Sequence, residues 1–200
     1  MTKRVRPAWQ PTGLIEKSFS LASKQHKNVV RKGGEIPYIS HLLAVSALVI
    51  ENGGTEVQAA AALLHDAIED TRISEKRLAT EVGQEVASIV VACSSKRFGE
   101  KKESDPWTTK KRYLKRLKEK SKNDPSLLVA LADKVHNSES CVNEYPKTKS
   151  ARRKYWKKFN AGYRVQKKWY TNLYREFALK DSLPEPLMKR LRVAIKILFN

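Results

Sequence analysis

Cysteine is scarce. Cys93 and Cys141 are the two thiols in 200 residues, and neither sits in a CxxC or other metal-ligand spacing. That excludes a disulfide framework and points to a reducing cytosol. No stretch approaches the ~18 uninterrupted apolar residues that a bilayer requires. Residues 1–13 hold charges and prolines but no apolar segment of a signal peptide. A soluble, cytoplasmic protein with no membrane partner is expected. Alternating runs that would mark strands are absent, as are internal repeats and any break in composition that would divide the chain. Acidic residues are outnumbered, 21 against 40 Lys and Arg, giving a formal net charge of +19. Such a field attracts polyanions, whether nucleic acid, anionic membrane or a phosphorylated small molecule, without choosing among them.

The chain does contain enough apolar residues, 40% of the total, to bury a substantial core, which excludes wholesale disorder. Helical spacing predicts helices over residues 14–30, 39–51 and 74–91, with another, opened at Thr55, that carries the HDxxEDT residues at its C-terminal end. The loop Arg31-Lys32-Gly33-Gly34-Glu35-Ile36-Pro37 separates the first two. Thr55 with Gln58 reads as a capping box, and the run from 59 to 64 is apolar on all sides, so this helix should cross the core. A basic helix carrying Tyr113, Leu114 and Leu117 follows a charged loop. Asp124-Pro125 reads as an N-cap with proline at the first helical position. It opens a helix to about residue 141. A long aromatic-rich helix is predicted over 151–177 and a last one over 188–198. The expected fold is all-α, one domain over residues 1–200, with a core at about 14–177 and a helical extension at 178–200.

Four ionisable residues follow the apolar run in Leu63-Leu64-His65-Asp66-Ala67-Ile68-Glu69-Asp70-Thr71. His65 and Glu69 are four apart, as are Asp66 and Asp70, so they form adjacent stripes on one helix. Three carboxylates at a helix C-terminus oppose the macrodipole at about 0.3–1 kcal/mol each. A divalent metal would offset that cost; a solvated helix end with a packed histidine is the alternative. A second segment, Leu131-Ala132-Asp133-Lys134-Val135-His136-Asn137, drops an aspartate into an apolar helix. Asn137 lies about 40° from Asp133, and Ser140 about 20° on its other side, forming one polar stripe. A buried carboxylate there needs a metal or a Lys or Arg partner. His41 gains meaning from these two segments. Together they supply two imidazoles and two carboxylates for one ion, a mixture that suits Mn²⁺, with Fe²⁺, Co²⁺ or Mg²⁺ as alternatives and Zn²⁺ less typical.

His41, His65-Asp66 and Asp133 follow the HD-domain metal pattern. Arg31-Lys32 before Pro37-Tyr38-Ile39, then the HDxxEDT and LADKxxN segments, together resemble the hydrolase domain of RelA/SpoT proteins over about residues 19–177. By its length the chain is most similar to the small alarmone hydrolases. The resemblance implies a single helical HD fold that removes the 3′-pyrophosphate of (p)ppGpp or a related alarmone. It implies Mn²⁺ held by His41, His65, Asp66 and Asp133, with Glu69 and Asp70 activating water. It further implies that Arg31 stacks on the purine, that Lys32 sits near phosphates, and that Asn137 and Ser140 face the ribose and phosphates.

Two positions depart from that family: Glu139 stands where a basic residue is usual, and Ser140 where a threonine or aspartate is. The basic regions offer replacements. Residues 96–122 hold twelve Lys or Arg against four acids, and the late aromatic helix provides Arg152 and Tyr155 as substrate-binding candidates. A toxic alarmone synthetase is a candidate for what the enzyme counteracts in the cell. Two other readings stand beside this one. One is an HD phosphohydrolase for another nucleotide, such as NADPH or a dNTP. The other is a basic module for nucleic acid, suggested by aromatics interleaved with Lys and Arg.

Overall fold

The computed structural model describes residues 7–95, 98–100, 105–159 and 161–200, and they are helical with no strand among them. Lys96, Arg97, Lys101 and Lys102, part of the basic run noted above, lie outside the described residues.

Helix α1 (Gly13–Gln25) starts where the Thr12 hydroxyl accepts from Leu14 N. It stops five residues short of the predicted 30, because His26 to Asn28 turn the chain into a tight loop. Val30 and Pro37 make an isolated antiparallel bridge, Arg31 N donates to Ile36 O at 2.8 Å, and Gly33 turns at φ +86°. Helix α2 (Ile39–Glu51) follows, and Gly54 packs so closely under its end that a Cβ would lie 2.7 Å from the Val49 carbonyl oxygen. The expected capping box opens α3 (Glu56–Leu64): Gln58 N donates to Thr55 Oγ1 at 3.2 Å and Thr55 N to Gln58 Oε1 at 2.9 Å. Every residue from Ala59 to Leu64 is buried, so α3 is the central element, packed on α1, α2, α6 and α8.

Three predicted helices are broken. The HDxxEDT segment does not extend α3. Helix α3 ends at Leu64, His65 and Asp66 form a turn, and a short helix α4 (Ala67–Asp70) begins. The helix expected at 74–91 is two, α5 (Glu75–Val82) and α6 (Gln84–Cys93), hinged at Gly83 with φ +89° and ψ 156°. The helix expected at 151–177 is α9 (Lys149–Tyr155), a 3-10 turn (Trp156–Lys158) and α10 (Gly162–Ala178), with Gly162 at φ +59°. Between these come α7 (Pro106–Glu119) and α8 (Ser126–Asn143). Asp124 still closes the start of α8, accepting from Ser126 N at 2.9 Å, but Pro125 precedes the first helical residue rather than occupying it.

The C-terminal segment is part of the core. Helix α11 (Glu185–Phe199) lays Leu187, Leu191 and Leu198 against α8, and Arg190 grips Glu139 with two bonds of 2.8 and 2.7 Å. Lys180 is buried and its ammonium group caps the end of α7, donating to the carbonyl oxygens of Lys118 and Lys120. A cation there also meets the negative end of the helix dipole. Helices α2, α3 and α8 therefore meet in the middle of the molecule, and the polar residues of the sequence motifs sit where they meet.

Candidate metal and nucleotide site

His41 comes from α2, His65 from the turn after α3, and Asp133 from the buried stretch of α8. All three are buried, and one ligand atom from each falls within 4.8 Å of the others. His65 Nδ1 lies 2.8 Å from the Ala62 carbonyl oxygen, which turns Nε2 toward the carboxylates: 2.9 Å from Asp66 Oδ2 and 3.6 Å from Asp133 Oδ1. His41 Nε2 is 3.2 Å from Asp133 Oδ1 and 3.7 Å from Asp66 Oδ2. Both Nε2 atoms are buried and make no hydrogen bond. Buried nitrogens without partners are costly, and two of them converging on carboxylates form a nitrogen and oxygen donor set that fits a divalent cation.

Charge and burial set the protonation of this cluster. Burial alone would depress His65, but Asp66 and Asp133 outweigh it and hold the ring well above its ordinary value. Burial prevails at His41 and lowers it. Asp133 is held well below the carboxylate range against its own burial, chiefly by the neighbouring ammonium of Lys134 and the two imidazoles. Lys134 Nζ and Asn137 Nδ2 both donate to the Asp133 carboxylate. The lysine partner anticipated as the alternative to a metal is therefore present, beside the two histidines. Tyr38 donates to Asp66 Oδ2 at 2.6 Å, and its phenol is pushed upward by burial and by that carboxylate.

Two cavities lie beside this cluster. The smaller, about 180 Å³, is lined by His65, Asp66, Glu69, Asp133 and Tyr113. The larger, about 540 Å³, is lined by Arg31, Lys32, Tyr38, His136, Asn137 and Ser140, with Lys158 and Phe159. Lys110, Lys134 and Trp169 line both and form the partition between them. Lys110 Nζ stands 4.4 Å from the centre of the Trp169 ring, and burial together with Lys134 and Lys32 lowers it to about 8. The combination of a carboxylate-rich end and a lysine-rich partition suits a ligand with a chain of phosphates reaching toward a metal.

The sequence-derived candidates divide accordingly. His41, His65 and Asp133 come together with Asp66 at their edge. Glu69 lines the smaller cavity and accepts from Ser95 N, whereas Asp70 is exposed and outside both linings. Arg31 donates to Asn137 Oδ1 at 2.8 Å and lies 5.7 Å from the centre of the Tyr38 ring, which makes a flat wall for a base. Lys32 and Ser140 also line the larger cavity. Arg152 and Tyr155 do not. Arg152 Nε donates to Pro146 O at 2.9 Å, and Tyr155 is buried with its hydroxyl donating to Cys141 O at 3.1 Å. Residues with no assigned role also line the site: Tyr38, His136 and Lys134 within the quoted motifs, and Lys110 and Trp169 outside them. The motifs could have flagged the first three. Lys110 carried no signal among its many basic neighbours.

The family model described as HD domain matches residues 18–159. The chain belongs to the HD domain family. Among relatives of this HD domain, the probable guanosine-3′,5′-bis(diphosphate) 3′-pyrophosphohydrolase of Synechocystis sp. is 35% identical over 130 residues. That match covers 64% of this chain but 16% of the relative, so the chain spans a small part of that protein. The guanosine-3′,5′-bis(diphosphate) 3′-pyrophosphohydrolase MESH1 of Xenopus tropicalis is 34% identical over 130 residues, 62% of this chain and 67% of that one. A solved metazoan orthologue of SpoT, described as hydrolysing ppGpp, shares the fold at a TM-score of 0.71 and 22% identity, covering 94% of this chain and 97% of its own.

Proposed function

We propose that this HD domain removes the 3′-pyrophosphate of (p)ppGpp or a related alarmone, giving GDP or GTP and pyrophosphate. The observation that carries the reading is the pair of cavities, one against His65, Asp66 and Asp133 and one walled by Arg31, with Lys110 and Lys134 lining both. The names of the relatives point the same way.

His41, His65, Asp66 and Asp133 would hold the ion, and their donor mixture favours Mn²⁺. A bound divalent ion lowers the pKa of water and polarises a phosphoryl oxygen. Glu69, next to that place, accepts the proton of the attacking water, and Asp70 assists from the same short helix. The water oxygen joins the phosphorus nearest the ribose, the bond to the 3′ oxygen breaks, and that oxygen leaves as a hydroxyl. Arg31 stacks on the purine against Tyr38. Lys32, Asn137 and Ser140 receive ribose and phosphate. Glu139 is tied to Arg190 on α11, which supports Lys110 and Lys134 as the cations that take up the diphosphate instead. The reading includes one hydrolase unit over the whole chain and a reducing cytosol, which the free thiols of Cys93 and Cys141 support. It also makes a toxic alarmone synthetase a natural antagonist.

Product analysis on ppGpp with Mn²⁺ tests the reading. Release of GDP and pyrophosphate by the wild type, lost in Asp66→Ala and in Glu69→Ala/Asp70→Ala, is the expected result. No turnover of ppGpp, pppGpp or adenosine analogues would overturn it.

A further inference from the structure

Among its described residues the larger cavity is walled by five cations, Arg31, Lys32, Lys110, Lys134 and Lys158, and by one carboxylate, Glu144. The cations attract phosphates and the carboxylate repels them. Glu144 therefore suits a part of the ligand that is neutral and donates hydrogen bonds. Lys158 Nζ donates to its Oε2, and among the described residues no donor reaches Oε1. The pair is partly exposed, so it adds little stability by itself. An ionised carboxylate has about four acceptor sites, and most of these are open.

Helix geometry places Glu144 relative to the rest of the site. Asn137, Ser140 and Glu144 stand 4, 7 and 11 positions beyond Asp133, which puts all three within about 40° of it on a helix. Glu144 directly follows α8 and keeps right-handed helical backbone angles, so it continues that stripe. The stripe rises about 16 Å from Asp133 to Glu144, the scale of a nucleotide carrying a diphosphate. Arg31, the flat wall for a base, is held at the middle of the stripe by its 2.8 Å bond to Asn137 Oδ1. A purine stacked on that guanidinium, with its diphosphate toward Asp133, has its far edge on the Glu144 side.

Purines differ at that edge. Guanine presents two donors side by side, N1–H and the 2-amino group. Adenine presents a bare N1 beside its 6-amino group. A carboxylate only accepts, so it takes both hydrogens of guanine, whereas on adenine it makes one bond and faces a lone pair. We propose that Glu144 is a specificity-determining residue that accepts the N1–H and 2-amino hydrogens of guanine and so selects guanine over adenine nucleotides. That the cavity takes a nucleotide rests on the reading above; the choice of base depends on neither metal nor hydrolysis. Lys158 holds the carboxylate in place through the other oxygen.

Calorimetric titration with GDP, IDP and ADP tests it, since these probes differ at that edge and need no turnover. The wild type should bind GDP about 10–100-fold more tightly than ADP, with IDP, which lacks the 2-amino group, between them. Glu144→Gln should bring GDP and ADP within about 3-fold, because an amide offers a donor to N1 of adenine and an acceptor to its 6-amino group. Damage to the fold would weaken both nucleotides and leave their ratio alone. Equal affinity in the wild type, no binding of either, or a GDP preference that Glu144→Gln leaves intact overturns the proposal. Should ppGpp resist hydrolysis while the order GDP, IDP, ADP holds and Glu144→Gln abolishes it, the hydrolase reading falls and Glu144 keeps its role.

Discussion

Lys110 is a cation placed where burial and two other lysines oppose its charge, which lowers it to about 8. It is protonated below that pH and neutral above it, and kcat/KM reports ionisation of the free enzyme. The profile of kcat/KM should therefore fall as pH rises through about 8, and Lys110→Arg should remove that limb, because a guanidinium stays charged. Asp133 carries a heavier load. Asp133→Ala leaves Lys134 and both imidazoles without their carboxylate, so Mn²⁺ binding should be lost and stability should drop by about 3 kcal/mol in chemical denaturation. Arg152 and Tyr155 should matter less to substrate. Tyr155→Phe removes one hydrogen bond to Cys141 O and should cost about 1 kcal/mol of stability with KM unchanged. A rise in KM would show that the late helix reaches the ligand after all. The cluster of His41, His65 and Asp133 was legible because a buried Asp and a His-Asp pair stand out against apolar runs. Lys110 was not, since its burial depends on Trp169, 59 positions away in the chain, and no local pattern encodes that contact.

At the level of helices, apolar periodicity located the segments but not their breaks. Leu78, Val82, Val86 and Ile89 are all buried at helical spacing, although the helix stops between the second and third of them. Gly83 is the reason, in a region of φ and ψ that is essentially closed to other residues. Gly83→Ala should lower stability by about 1–3 kcal/mol without moving the metal cluster, as thermal unfolding and Mn²⁺ titration would show. The break at His65-Asp66 has more functional weight. An unbroken helix would have spread the four ionisable residues along two stripes. The turn instead points His65 back at His41, places Asp66 beside both, and leaves Glu69 and Asp70 on a separate short helix. Sequence spacing describes a regular helix and cannot register such a turn, because no glycine or proline marks it.

For the whole molecule, the charge of +19 is spread over α7, α9 and α10 more than over the central helices. A field of that sign should speed capture of a phosphorylated ligand, and salt should weaken it. Between low and high sodium chloride, kcat/KM for an alarmone should fall about 10-fold with kcat little changed. A flat response would assign the charge to solubility alone. Among the described residues no helix is long and apolar enough to cross a membrane. Helix α8 ties these parts together: within a few residues it presents Asp133 to the cluster, His136 and Asn137 to the larger cavity, and Glu139 to Arg190 on α11. Side chains of α8 outside these contacts can be exchanged one at a time, but its count cannot change. One inserted residue after Asp133 would swing everything downstream by about 100° and leave the aspartate behind. Lineages carrying this chemistry are thus free to drift by substitution at those other positions of α8 and closed to gaps within it.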